Sequence, residues 1–180
     1  MTERVLRFSD LSDRHIGVSD GISKFYSEAA RVCLDRHHSS PAEFCIKDNE
    51  TEVRAIAKWL NSDERTKNAW ANEVDATEAG AYGLALAAIE EMRGLVAIRR
   101  AETLTGADYY LADPNITLED LENTCRLEVS GTDVGNKTVI KDRLHKKVEQ
   151  ARKGKSNLPA IASVVGFAAL QIISADVELT

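Results

Sequence analysis

Hydrophobic residues recur with two different periods along the chain, and the change of period separates predicted helices from predicted strands. Between residues 19 and 37 apolar positions lie three or four residues apart, which predicts a helix. The same spacing predicts a second helix over 52–60, after a short strand over 42–47. Residues 1–74 are therefore expected to form a mostly helical extension that packs on the rest of the chain.

A long helix is predicted over 76–92. The stretch from Asp75 to Glu78 has the spacing of a capping box, in which a helix-capping side chain and an acidic side chain three residues later each accept a backbone N–H. The run behind it is rich in alanine, glycine and leucine, which favours close packing against a sheet. Gly94 is expected to end the helix.

After Gly94 the period of the apolar residues changes to that of strands. Strands are predicted near 96–104, 107–112 and 125–130, with a turn at Thr105 and Gly106 between the first two. A helix is predicted over 137–153, and the strands 160–167 and 170–179 complete the chain. This order predicts an α/β protein with a mixed central sheet flanked by helices, whose core domain spans residues 75–180.

Composition narrows the class of protein. The 180 residues are 43% hydrophobic and 29% charged, as in ordinary globular proteins. The longest apolar run, within 159–173, is interrupted by polar residues and predicts a buried strand, so no membrane partner is expected. Three scattered cysteines without a CxxC pair argue against a disulfide framework and a zinc site, and favour a reducing cytoplasm.

The charge of the chain is unevenly distributed. The formal net charge is −6, yet the segment 137–155 contains eight lysines and arginines against two acidic residues. Such a helix is either a solvated face or a surface that contacts the phosphates of DNA or RNA.

Three carboxylates fall where the predicted elements converge. Glu78 opens the first core helix, Asp108 lies in the second strand of the core, and Glu128 lies in the third. Neighbouring strands bring side chains of the same face within about 5 Å of each other. Two carboxylates at that distance repel unless a cation lies between them, and Mg²⁺ or Mn²⁺ is the expected cation because hard divalent ions prefer oxygen ligands. Such an ion polarises a phosphoryl group and lowers the pKa of bound water.

The stretches TGADYYL, RLEVSG, VIKDRLHKKVEQ and PAIASVVGF, in this order of elements, resemble a bacterial branch of the PD-(D/E)XK, or restriction-endonuclease-like, nuclease superfamily. The resemblance covers roughly residues 70–170. It implies a restriction-endonuclease-like core, a helix followed by three strands, a helix and a strand. It also implies a Mg²⁺-dependent nuclease that hydrolyses phosphodiesters.

The resemblance assigns roles to individual residues. Asp108 and Glu128 would bind the metal, with Glu78 as an accessory acid. Ser130 stands where the superfamily usually has a lysine that orients the attacking water and stabilises developing charge. Lys147 is the candidate substitute for this lysine, with Gln150 as its polar partner, because both lie on a stripe beside the apolar row of the helix 137–153.

Simpler interpretations remain open. Glu78 is explained by capping alone and Lys147 by a solvated helix face. Ordinary ion pairs also account for the two strand carboxylates, with Arg99 or Arg100 as partner of Asp108 and Arg126 or Lys141 as partner of Glu128. The alternative function is a catalytically inactive nuclease-fold protein that binds nucleic acid or a protein partner, and assembly as a homodimer is also open.

Overall fold

The computed structural model describes residues 2–116, 119 and 121–179, and these residues form one mixed sheet with helices on both faces. The strands are β1 (Ala42–Asp48), β2 (Thr51–Ala57), β3 (Val96–Arg100), β4 (Tyr109–Ala112), β5 (Cys125–Thr132), β6 (Ala160–Gly166) and β7 (Gln171–Val177). The helices are α1 (Asp20–Asp35), α2 (Glu64–Ala69), α3 (Glu73–Arg93) and α4 (Lys137–Arg152). The predicted α/β class is therefore correct.

The seven strands lie in the order β2-β1-β7-β6-β5-β4-β3. Strands β3, β4 and β5 form an antiparallel meander, and β5 pairs in parallel with β6. Helix α4 makes the crossover that a parallel connection requires. Strand β7 then pairs antiparallel with β6 and parallel with β1. From α3 to β6 the element order is helix, three strands, helix and strand, as predicted.

Strand alternation sends successive residues to opposite faces of the sheet. In β6, Ile161 and Val165 join the large core that α1 and α3 cover. The residues that alternate with them, Ala160, Ala162 and Val164, belong to the smaller clusters that α4 covers. Helices α1 and α3 therefore lie on one face of the sheet and α4 on the other.

Helix α3 is buried along most of its length because small residues let its neighbours approach. A Cβ added at Gly80 would lie 2.9 Å from the Ala30 backbone of α1, so the two helices meet at that glycine. Leu86 and Ile89 are buried on this helix. The helix ends at Gly94, whose φ of 67° places it in the left-handed region that glycine adopts without strain.

Two local predictions are wrong. The segment 52–60 is not a helix: residues Thr51–Ala57 form β2, which pairs with β1 across a tight turn at Asn49, where φ is 51°. The branched side chains of Val53 and Ile56 suit this strand, although their spacing also fits a helix. Through β1 the first 74 residues contribute a hairpin to the sheet, in addition to helices.

The capping box is also misplaced. Helix α3 begins at Glu73, and Asn72 is the residue whose side chain accepts the Val74 and Asp75 N–H groups. Asp75 and Glu78 consequently lie inside the helix and not at its cap. In the part of the chain that the structure describes, no helix is both long and apolar enough to span a bilayer.

Candidate functional site

Asp108 lies where β4 separates from β5. It directly precedes β4, and its N–H donates to the Leu127 carbonyl at 2.7 Å. Its carboxylate then accepts the Val129 N–H at 2.8 Å through Oδ2, so a side chain continues the ladder that the backbone leaves. The other oxygen, Oδ1, accepts the Tyr82 hydroxyl at 2.7 Å.

Arg100 adds a positive charge beside Asp108. Its guanidinium lies 3.8 Å from Asp108 Oδ1 and donates to the Tyr82 hydroxyl at 3.3 Å. One of the two arginines that the sequence offered as partners of Asp108 is thus close to it. Tyr82 was missed, although it lies one helical turn after Glu78, on the same side of the helix.

Glu128 occupies the middle of β5 and faces α4. Its side chain is only 4% exposed, and Lys147 Nζ lies 2.7 Å from its Oε1. The predicted alternatives are not its partners. Arg126 points its guanidinium at the backbone carbonyls of Leu158, Thr105 and Ala151, and Lys141 is exposed on α4.

Burial raises the pKa of Glu128 above its ordinary value, and the negative charge of the neighbouring Asp108 raises it further. Lys147 lowers the pKa through its hydrogen bond and charge, but does not cancel the other two effects. A carboxylate that is buried beside a second carboxylate is costly to keep ionised. Carboxylates with raised pKa values are enriched at functional sites, and buried ion pairs that are purely structural also perturb pKa values.

Lys147 comes from the centre of α4. Its ammonium donates to Glu128 and, at 3.0 Å, to Gln150 Oε1 one turn later. The structure therefore brings together Asp108, Glu128, Lys147 and Gln150 as a continuous set of neighbours. The stripe beside the apolar row thus contacts Glu128 through Lys147, whereas the catalytic role of Lys147 stays a prediction.

Ser130 and Glu78 lie at the edge of this set. Both line a cleft of about 520 Å³ that also includes Tyr82, Arg143 and Lys147. Glu78 is exposed on α3. Among residues 2–116, 119 and 121–179 no three histidine, cysteine, aspartate or glutamate side chains converge in a way that could hold a metal ion, so the three carboxylates do not form one cluster.

Comparison with known proteins adds no family to this geometry. No protein-family model matches the chain, and no curated protein or solved structure is significantly similar to it.

Proposed function

We propose that the protein is a Mg²⁺-dependent phosphodiesterase acting on nucleic acid, with a restriction-endonuclease-like core. One observation carries the proposal: Lys147 reaches across from α4 to the buried Glu128, beside Asp108. Two carboxylates and a lysine are the groups that the superfamily resemblance implies. Here the lysine comes from a helix, and Ser130 fills its usual place on the strand.

The connection of the elements supports the same core. Helix α3 is followed by the meander β3–β4–β5, and α4 then leads to β6 in parallel with β5. The four strands are consecutive neighbours in the sheet. This is the order of helix, three strands, helix and strand that the resemblance implies, and it brings Asp108, which directly precedes β4, beside Glu128 of β5.

The residues present fit a hard divalent cation that is completed by substrate and water. Asp108 and Glu128 would hold it, and no third side-chain ligand converges on them within the described residues. Mg²⁺ commonly takes one or two protein carboxylates and fills its remaining positions with waters and phosphate oxygens, whereas structural zinc sites use four protein ligands. The bound ion would supply Lewis acidity at a phosphoryl oxygen.

The other side chains act on the water and on the phosphate. Lys147 places its ammonium where negative charge develops, and Gln150 holds it in position. Ser130 lies in the same cleft, where its hydroxyl orients water without adding charge. Tyr82 keeps Asp108 oriented. Burial raises the pKa of Tyr82, and the Asp108 charge adds to this, so the phenol stays protonated and donates.

Cleavage assays with single- and double-stranded DNA and RNA test the proposal. With Mg²⁺ or Mn²⁺ the protein should cleave at least one of these substrates, and Asp108→Asn should abolish the cleavage. Lys147→Ala should slow it by roughly 10²–10³, as for the loss of a group that stabilises transition-state charge. Lys146→Ala is the matched control, because Lys146 is the exposed neighbour on the same helix. Equal rates for the two lysine variants would contradict the role of Lys147.

A catalytically inactive binding protein is the second candidate, and one observation favours it. Both oxygens of Asp108 already accept hydrogen bonds from the protein, and Glu128 is already paired with a lysine. A site satisfied in this way needs no metal. Calorimetry with Mg²⁺ and Mn²⁺ separates the two candidates. The phosphodiesterase should show a heat of metal binding that Asp108→Asn removes, and the binding protein should show no such heat.

A further inference from the structure

A second cavity lies directly beside the candidate site. Its volume is about 840 Å³, and it shares Glu78 and Tyr82 with the cleft described above. Tyr82 is therefore a common wall, with its hydroxyl on Asp108 and its ring in the second cavity. Five aromatic side chains contribute to its lining: Phe25, Tyr26, Trp70, Tyr82 and Tyr109.

The mouth of the cavity exposes flat apolar surface. Phe25 is 51% exposed and Ile22, three residues earlier on α1, is 41% exposed. The Phe25 ring lies 4.7 Å from the Trp70 ring, centre to centre. Single exposed apolar residues are common on proteins, but an exposed ring at the entrance of an aromatic cavity offers a stacking surface.

The charges in the cavity select what can enter it. Three carboxylates, those of Glu28, Asp75 and Glu78, line it together with one arginine, Arg100, so the lining is acidic on balance and disfavours a phosphate. Carboxylates accept hydrogen bonds from the amino and ring N–H groups at the edges of nucleobases. Arg100 lies over the rings of Tyr82 and Tyr109, 4.7 Å and 4.9 Å from their centres, on the side nearest Asp108.

We propose that this cavity receives an unpaired nucleobase, and that the substrate of the candidate site is a single-stranded nucleic acid. The inference rests on the proposed function, since the base belongs to the strand whose phosphate lies at Glu128 and Lys147. A base in a duplex has its faces stacked and its pairing edge occupied, so it reaches such a cavity only after leaving the helix. The acidic aromatic cavity takes the base, while Lys147 and Arg143 line the neighbouring cleft for the phosphate.

Equilibrium binding without metal tests the base cavity separately from cleavage. In a buffer with a chelator, fluorescence anisotropy would compare a labelled single-stranded DNA, the RNA of the same sequence, the DNA duplex, and an abasic strand with the same number of phosphates. Stacking of one base on aromatic side chains contributes about 1–3 kcal/mol, so the normal strands should bind roughly 5- to 140-fold more tightly than the abasic strand. Equal affinity for the normal, duplex and abasic molecules would overturn the proposal.

Variants locate the contact. Phe25→Ala should lose roughly 5-fold or more in affinity for the single strand but not for the abasic strand, and Phe25→Tyr should retain the binding. Leu60→Ala is the matched control, because Leu60 is 79% exposed and does not line the cavity. In a Trp59→Phe background the single strand should quench the fluorescence of Trp70. An unchanged Trp70 signal at saturation would place the base elsewhere and overturn the assignment.

Cleavage then distinguishes failure of this inference from failure of the proposed function. Asp108→Asn should lose cleavage and keep base-dependent binding in the chelator. Duplex cut as fast as single strand would overturn the inference and leave the phosphodiesterase standing. Base-dependent binding at Phe25 without any cleavage by the unmodified protein would refute the phosphodiesterase and keep the cavity as a base-binding site.

Discussion

Replacing Lys147 with methionine removes the ammonium that faces Glu128 while keeping an unbranched side chain of similar length. The variant leaves Glu128, which is 4% exposed, buried beside Asp108 without a paired cation. Removing one partner of a fully buried ion pair costs about 3–5 kcal/mol. We expect a smaller loss of stability here, because the Lys147 side chain is 24% exposed and water can approach its place.

Protonation sets a ceiling on this loss. A buried carboxylate takes up a proton when its ionised form becomes too unfavourable. For a carboxyl group of ordinary pKa 4.5, protonation at pH 7 costs about 3.4 kcal/mol, at about 1.36 kcal/mol per pH unit. At pH 5 the same cost is only about 0.7 kcal/mol. The free energy of unfolding of Lys147→Met should therefore fall below that of the unmodified protein by up to about 3 kcal/mol at pH 7, and by less than about 1 kcal/mol at pH 5.

The sign of the pH dependence follows from the pKa of Glu128. Burial raises that pKa in the folded protein, and removing Lys147 raises it further. Below pH 4.5 the group is protonated in both the folded and the unfolded state, so the variant loses little. As the pH rises from 4.5 towards the folded-state pKa, the unfolded state releases this proton before the folded state does, so stability falls across that window.

Urea unfolding at pH 5 and pH 7 measures the effect. The series is the unmodified protein, Lys147→Met, the double variant with Glu128→Gln, and Lys146→Met as an exposed control. The double variant should lose the additional pH dependence of stability that Lys147→Met shows, because no carboxylate remains to titrate at position 128. Mg²⁺ should stabilise Lys147→Met more than the unmodified protein, since an ion at Asp108 and Glu128 replaces the missing charge. A stability difference that is the same at both pH values would refute the assignment of Glu128 as a buried carboxylate paired with Lys147.

Three further predictions concern the fold. Gly17→Ala should destabilise the protein by about 1–3 kcal/mol in thermal unfolding, because the new Cβ would lie 2.4 Å from the Arg99 backbone nitrogen. Gly21→Ala is the control: it has open space around it and should be neutral or stabilising. Arg126→Lys should cost about 1–3 kcal/mol in the same measurement, because one ammonium cannot replace the guanidinium bonds to three separate carbonyls. Burial raises the pKa of Cys33 to about 12, so its thiol should resist alkylation at pH 8 in the native protein and react in denaturant, as mass spectrometry of the labelled peptide would show.

The sequence predicted the core elements because their apolar residues have a clear period. Helix α4 and strands β5 and β6 lie close to their expected bounds. The hairpin β1–β2 was half missed, because the spacing of three residues between Val53 and Ile56 fits a helix, whereas in β2 these two side chains lie on opposite faces of the strand. Its pairing partner decides the outcome: β1 lies beside β7, more than a hundred residues away in the chain, and local spacing carries no information about that contact.

The geometry of the candidate site was predictable where it depends on strand and helix spacing, and not where it depends on tertiary packing. Glu128 and Lys147 follow from alternation in β5 and from the stripe on α4. The helix start does not, because Asn72 competes with Asp75 as a cap and both have the required side chain. Tyr82 has the sequence pattern of an ordinary buried helix residue, and only the approach of α3 to the start of β4 places its hydroxyl on Asp108.

The proposed cleavage of nucleic acid by an acidic protein requires that positive and negative surface be separated in space, and the basic helix α4 is consistent with this requirement. The net charge is −6, but screening at physiological salt confines electrostatic effects to about 8 Å, so a strand responds to the local surface. In the proposed complex the phosphates follow the exposed basic side of α4, while the bases turn towards the acidic aromatic cavity. The logarithm of the affinity for a single strand should then fall linearly with the logarithm of the salt concentration, with a slope proportional to the number of phosphates that α4 contacts. The ratio of normal to abasic affinity should hardly change, because stacking releases no counterions. A ratio that collapses at high salt would show that the cavity binds through charge and not through its rings.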